Sequence, residues 1–218
     1  MIAKYVKAKS VDDFRPIALL NICYKVYARL LNARTRKFLD NSQPPSQAGF
    51  RKGFSVDDHL LALTLLLEKV HECNLQLWAV SLDLSKAFDR VNWQKLWSAL
   101  ESQNLPSYLI NALRAIYNDQ FGIVRGGQKR RSRRFAIKRG VKYGCPLSPG
   151  LFNAMLQFAM EKWHSQIEQL DIGLSINGYH LSNSRVTDNV LLLATCQEDA
   201  GYMLELLIHK LADIGLVL

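Results

Sequence analysis

The chain has 218 residues, 49% of them apolar and 22% charged, and its 28 Lys+Arg against 19 Asp+Glu give a formal net charge of +9. These proportions exclude a disordered or collagen-like polymer, and the length can bury a core for one domain or two small lobes without disulfides. No apolar run is long enough for a bilayer, and the opening MIAKYVKAKS has no apolar block behind its lysines, so neither a membrane span nor a secretory leader is expected.

From Leu19 to Leu39 apolar residues recur at helical spacing (Leu20, Cys23, Tyr24, Val26, Tyr27, Leu30, Leu31, Phe38), and the breaker Asn41-Ser42-Gln43-Pro44-Pro45 ends the helix. Ser55-Val56-Asp57-Asp58 has the form of a capping box before the apolar run Leu60 to Val70. The segment 75–84 predicts a short buried strand that delivers Asp83 at its end, followed by helices over about 92–103 and 106–117. Ser148-Pro149 reads as an N-cap with proline at the first helical position, opening a helix to about Gln169. Asn177-Gly178 predicts a two-residue hairpin, Val190–Thr195 a strand, and Thr195-x-x-Glu198 the start of a last helix that stops at Gly215. Helices, strand, helices, hairpins and helix in that order make an α+β fold.

The charge is unevenly placed. Nine basic residues fall between Gln120 and Lys142 (Arg125, Lys129, Arg130, Arg131, Arg133, Arg134, Lys138, Arg139, Lys142), and no acidic residue lies between Asp119 and Glu161. The remaining 19 basic residues balance the 19 acidic ones, so the whole excess sits in this segment. A phosphate-backbone contact, a localisation signal and a solvated basic loop all fit such a block. Cys23, Cys73, Cys145 and Cys196 lack metal-ligand spacing and are expected to be buried free thiols.

Three segments carry candidate chemistry: LDLSKAFD at 82–89, GVKYGCPLSPGLFN at 140–153 and RVTDNVLLLA at 185–194. Asp83 at a strand end and Asp188 in a polar turn suit a hard cation that takes oxygen ligands and keeps positions open for phosphates. Two such carboxylates could hold a metal pair for in-line phosphoryl transfer. Singly, each also reads as ordinary strand-end or turn chemistry.

Together with FRPIALLNICYKVYARLLNARTRKFL at 14–39 and SQAGFRKGFSVDDHL at 46–60, these motifs resemble, in order and over nearly the whole chain, the reverse transcriptase domain of LINE-type (non-LTR) retrotransposons. The resemblance implies a fingers–palm polymerase fold with an antiparallel palm sheet backed by helices, fingers mainly in 1–75 and palm mainly in 76–218, and no thumb after DIGLVL. It implies RNA-directed DNA synthesis from a primer 3′-OH, with two Mg²⁺ ions (or Mn²⁺ in their place), dNTPs, an RNA template and a DNA primer, in the nucleus or cytoplasm.

It also implies roles. Asp83 and Asp188 would be catalytic metal carboxylates, with the Leu84 carbonyl and Asn189 as further ligands. Arg15, helped by Lys7 or Lys9, would grip the triphosphate. Phe88 matches a gate that crowds a ribose 2′-OH, or else simply packs in the core. Tyr143 and Gly144 would border the nucleotide, while Ser148 and Pro149 would support the template–primer. Arg125, Lys129, Arg130, Arg131, Arg133 and Arg134 lie where the family has a strand pair beside the nucleic-acid cleft.

Departures fall on these positions. Val186-Thr187-Asp188-Asn189 stands where the family has Phe-Ala-Asp-Asp, Tyr143 where it has Gln, Phe54 where it has Arg and Val56 where it has Thr. An amide at 189 brings no negative charge, so low or lost activity is expected, the alternative being an inactive remnant that retains at most nucleic-acid binding.

Overall fold

The computed structural model describes residues 2–3, 14–126, 130–176 and 178–218. A short ladder pairs β1 (Ile2–Ala3) with β2 (Phe14–Arg15), and α1 (Ile22–Asn41) follows, its N-cap Asn21 accepting from the Cys23 N–H. The loop 42–54 leads into α2 (Val56–Glu72), where the predicted capping box is complete. The Asp58 N–H donates to Ser55 Oγ at 3.1 Å and the Ser55 N–H to Asp58 Oδ2 at 2.9 Å, an arrangement worth about 1 kcal/mol.

β3 (Trp78–Asp83) runs into α3 (Ala87–Arg90), α4 (Trp93–Ser102) and α5 (Ser107–Tyr117). A thin ribbon, β4 (Phe121–Gly122) with β5 (Phe135–Ala136), carries the basic segment. α6 (Ser148–Gln169) comes next, then the hairpin β6 (Leu174–Ile176) and β7 (Tyr179–Leu181). β8 (Asn183–Val186), β9 (Asn189–Ala194) and α7 (Gln197–Asp213) complete the order. The expected α+β class, with an antiparallel sheet backed by helices, is what forms.

The sheet that matters for function has strand order β3-β9-β8, every pair antiparallel. α6 is its central support. Leu151, Phe152, Ala154, Met155, Leu156, Ala159 and Trp163 are all buried, so this helix is packed nearly all round rather than along one stripe. α4, α7 and α1 lie against it, and α7 also covers β3 and β9. Two polar side chains tie helix to helix without leaving a buried donor unpaired. The Trp163 indole N–H donates to the Met203 carbonyl at 2.9 Å, and Gln103 Nε2 donates to the Ala154 carbonyl at 2.7 Å.

Five local expectations change. Of the four free thiols Cys145 is buried, Cys196 is half-buried, and Cys23 and Cys73 are exposed because they lie on an outward helix face and at a helix end. β3 is an edge strand, with only Val80 and Leu82 half-buried, because a single strand, β9, pairs with it. On α1 the inward face is Ala28, Leu31, Thr35 and Leu39, while Val26, Tyr27 and Leu30 are exposed. Ser148 is already helical and wholly buried, the cap falling on Leu147 without a side-chain bond. The last helix is capped by Cys196, whose Sγ accepts from the Asp199 N–H at 3.4 Å, one residue later than Thr195. Among the described residues no helix is long and apolar enough to cross a membrane.

Candidate active site

The site is built by strand register. In the β3/β9 ladder Asp83 stands directly opposite Asn189, and in the β8/β9 hairpin Val186 pairs with Asn189, leaving Thr187-Asp188 as a two-residue turn. The structure therefore brings together the predicted set: Asp83 at the end of one strand, Asn189 across from it and Asp188 next in the chain. Directly opposed residues on antiparallel strands sit about 4.5–5.5 Å apart. Asp83 and Asn189 are exposed and Asp188 is half-buried, while Leu84 is buried behind them. The donors are oxygens, two carboxylates and one amide, and among the described residues no group of three or more His, Cys, Asp and Glu is gathered anywhere. That set fits a hard divalent cation that keeps waters and phosphate oxygens in its shell, with one anionic ligand fewer than three carboxylates would give.

The turn is strained and held from outside. Thr187 has φ 61°, a left-handed conformation that costs a β-branched residue about 1–2 kcal/mol. Positive φ at the first turn position matches the twist of a hairpin. The buried carboxamide of Gln47 clamps the strained residue: Oε1 accepts from the Thr187 N–H at 3.1 Å and the Gly49 N–H at 2.9 Å, and Nε2 donates to the Thr187 carbonyl at 3.4 Å. Alongside, the Arg185 N–H donates to the Ser46 carbonyl at 2.7 Å and the Ala48 N–H to the Arg185 carbonyl at 3.0 Å. Gly49 lies so close that a Cβ there would stand 2.3 Å from the Thr187 nitrogen. Its carbonyl accepts from Asn153 Nδ2 at 2.7 Å, which ties the clamp to α6. Nothing in the sequence singles out Gln47, Gly49 and Asn153 for this task. The motif SQAGF is visible there, but its partners lie 104 to 140 residues away.

Phe88 is 8% exposed, its ring stacked on Tyr143 (centroids 4.8 Å apart, 24° between planes) and tilted against Phe152 at 5.1 Å. Tyr143 thus covers Phe88 with a second ring, and Phe88 is both core and candidate gate. The loop beneath is fixed by the Val141 N–H to Phe88 carbonyl bond at 2.8 Å, the Gly140 N–H to Val91 carbonyl bond at 2.8 Å and the Trp93 indole to Gly140 carbonyl bond at 2.9 Å. Gly144 takes φ 91°, and the Ala18 N–H donates to the Tyr143 carbonyl at 3.1 Å. Under this loop Lys142 Nζ donates to Tyr24 Oη at 3.4 Å and lies 5.3 Å from the centre of the Tyr117 ring. Burial pushes the Lys142 ammonium below its usual range, and burial followed by the neighbouring Cys145 pushes the Tyr24 phenol above its own. Ser148 and Pro149 begin α6 behind this loop, and Ser148, being wholly buried, can only support it.

Phe54 receives the Arg51 guanidinium 3.9 Å above its ring. Arg51 in turn donates to the carbonyls of Pro44 and Gln47, at 2.6 and 2.9 Å, and so closes the loop that carries the clamp. Arg15 lies in β2, and Lys7, Lys9 and Lys129 fall outside the described residues. The basic segment forms a ribbon. Arg125 pairs with Arg131 at its far end, the Gly126 N–H donates to the Arg130 carbonyl at 2.9 Å, and Arg134 lies 3.7 Å over the Phe121 ring. Arg125, Arg130, Arg131, Arg133 and Arg134 are all exposed.

Comparison with known proteins gives one answer. The family described as "Reverse transcriptase (RNA-dependent DNA polymerase)" matches residues 6–218. The "Retrovirus-related Pol polyprotein from type-2 retrotransposable element R2DM" of Drosophila melanogaster is 26% identical over 217 residues, which is 100% of this chain and 20% of that protein. The corresponding "type-1 retrotransposable element R2" polyprotein of Popillia japonica is 29% identical over 156 residues, 72% of this chain and 22% of its own length. The chain thus spans about a fifth of these relatives. Among solved structures, apo telomerase from Candida tropicalis superposes with a TM-score of 0.65 at 13% identity, covering 89% of this chain and 36% of that one. The same telomerase with a fragment of telomeric RNA gives 0.58 at 15% identity, covering 89% and 32%. At such identities the likeness is one of fold, and that fold has fingers and a palm.

Proposed function

The chain belongs to the reverse transcriptase family, and from that premise we propose that it is an RNA-templated DNA polymerase domain whose chemistry is centred on Asp83 and Asp188. The observation that carries this reading is the register that sets Asp83 opposite Asn189 at the tip of the β8/β9 hairpin. Residues mainly in 1–75 would form the fingers and those mainly in 76–218 the palm.

A divalent cation, Mg²⁺ or Mn²⁺, bound by Asp83, Asp188 and the Asn189 amide oxygen would supply Lewis acidity toward a primer 3′-OH and a dNTP triphosphate. The chain's own contribution is geometry. Gln47 and Gly49 hold the strained turn, so Asp188 stays beside the β3 end as the reaction proceeds. The Phe88–Tyr143 pair would close the sugar side of the nucleotide pocket and crowd a 2′-OH, with Gly144 beside it and Arg15 toward the triphosphate. The ribbon arginines would lie along the phosphates of the RNA template and DNA primer.

The weak point is charge. With two carboxylates instead of three, less negative charge offsets the bound cations. Even the loss of groups one step removed from a metal costs about 10–100-fold in affinity or activity. Primer extension on an RNA template with Mg²⁺ or Mn²⁺ tests the reading. Asn189→Asp is expected to raise extension by about tenfold or more, and Asp83→Ala to abolish it. Extension that persists unchanged in Asp83→Ala overturns the site assignment, and none in either wild type or Asn189→Asp supports the inactive remnant.

A further inference from the structure

A cavity of about 650 Å³ lies between α2, α6, the β6/β7 hairpin and β8. Its walls are largely apolar, with Leu63 and Leu66 from α2, Met160 from α6, Leu181 from β7 and Leu193 from β9. Volume and lining fall in the range of small-molecule sites. A cation forms part of the lining. Arg185 is 2% exposed, and its Nη2 donates to two neutral oxygens, Ser46 Oγ at 3.2 Å and Gln157 Oε1 at 3.0 Å. Its Nε and Nη1 have no hydrogen-bond partner among the described residues, and neither ring nitrogen of His180, another lining residue, has one. The Glu161 carboxylate acts on Arg185 through space but takes its hydrogen bond from an amide, Gln157 Nε2 donating to Glu161 Oε1 at 3.2 Å.

Buried donors without acceptors are uncommon and costly, and a buried guanidinium is best matched by an anion. We infer that this cavity is a binding site for an amphipathic monoanion, a carboxylate on an apolar body, with the head group on Arg185 and the body among Leu63, Leu66, Met160 and Leu181. The exposed carboxylates of Glu161 and Glu168 stand on the solvent side of the cavity. They disfavour a polyanion, which separates this site from one for dNTPs or nucleic acid. Arg185 lies three residues before Asp188 on the strand that Ser46 and Ala48 grip, so a ligand here touches the element that delivers the candidate catalytic turn.

Calorimetry on the full chain tests the inference with 2-naphthoate and its uncharged isostere 2-naphthamide. The acid is expected to bind about tenfold or more tightly than the amide. Naphthalene-2,6-dicarboxylate should bind more weakly than the monoacid and regain affinity in Glu161→Gln. Arg185→Met should make acid and amide equal. Because that variant removes a buried group and could fail to fold, Ala62→Trp, at an exposed lining position on α2, provides a second arm and should weaken both ligands. Equal binding of acid and amide to the wild type, no binding of the acid, or an acid affinity unchanged by Ala62→Trp overturns the inference.

Discussion

Replacing Gln47 with methionine keeps the length of the side chain but removes one acceptor and one donor from a wholly buried position. Two backbone N–H groups lose their partner, those of Gly49 and Thr187, and the Thr187 carbonyl loses a donor. A buried donor left unsatisfied costs about 1–3 kcal/mol. The Gly49 N–H is buried and bears the full cost, whereas the Thr187 N–H is only partly buried and bears less. The two together come to about 2–4 kcal/mol, with little packing loss because methionine fills the space. Against the 5–15 kcal/mol typical of whole-domain stability, this is a large and measurable fraction. Urea unfolding should show the midpoint falling with the slope unchanged, and amide exchange at Gly49 and Thr187 should accelerate beyond the global change. Primer extension should fall with it, since the turn that carries Asp188 is no longer held. An unfolding free energy within about 0.5 kcal/mol of wild type, the usual range of a surface substitution, would refute the clamp.

Gly49→Ala places a methyl 2.3 Å from the Thr187 nitrogen, so the turn must move. A destabilisation of about 3 kcal/mol or more, the upper end of overpacking, is expected in thermal unfolding. Neutralising Arg130, Arg131, Arg133 and Arg134 together should leave stability nearly unchanged, because all four are exposed. It should flatten the salt dependence of RNA–DNA binding by up to about 0.9 log units for each phosphate no longer neutralised, and an unchanged slope removes the ribbon from the nucleic-acid interface. Burial holds the phenols of Tyr24 and Tyr117 protonated beyond their ordinary value of 10.0. Their stabilising contribution is therefore complete below that value and is lost as pH rises past it toward the displaced pKa. Lys142 has the opposite sign, its lowered pKa adding stability as pH approaches 10.5. Urea midpoints through the alkaline range should fall less steeply in Tyr24→Phe than in wild type, and parallel curves contradict the assignment.

Which parts of this architecture can be read in the sequence follows from how far each signal reaches. The Ser55–Asp58 capping box is complete within four residues and forms as expected, and the strands flanking the predicted Asn177-Gly178 hairpin pair Ile176 with Tyr179, Asn177 itself lying outside the described residues. The basic ribbon announces itself by composition. Asp83 and Asp188 are visible as strand-end and turn carboxylates, but their juxtaposition depends on a β3/β9 register that only the packed sheet determines. The clamp is illegible for a different reason. Gln47, Gly49 and Asn153 are ordinary residues in a loop and a helix, and their roles exist only in hydrogen bonds closed by the tertiary fold. β3 misleads because an apolar run looks the same whether one strand or two will pair with it, and here β9 alone does. Arg185 offers no signal at all, since alternation along a strand does not single out the position where a charge is buried.

Position and charge at the candidate catalytic centre are supplied by separate parts of the chain. The Thr187-Asp188 turn is fixed through main-chain atoms, the Thr187 N–H and carbonyl on Gln47 and the Thr187 backbone against Gly49, and through the registers of β8, β9 and β3. None of these contacts uses the side chains of residues 188 and 189, so an amide rather than a carboxylate at 189 changes the charge of the site while leaving its frame in place. The exchange also has a stabilising side. A carboxylate at 189 would face Asp83 directly across the ladder, and like charges in that position repel unless a cation lies between them. Metal-free Asn189→Asp should therefore be the less stable protein, and Mg²⁺ should restore its stability more than it affects the wild type. The same substitution that supplies a missing ligand thus makes the fold depend on the metal, and Asn189 is a residue that frees the sheet from that dependence at the expense of charge in the site.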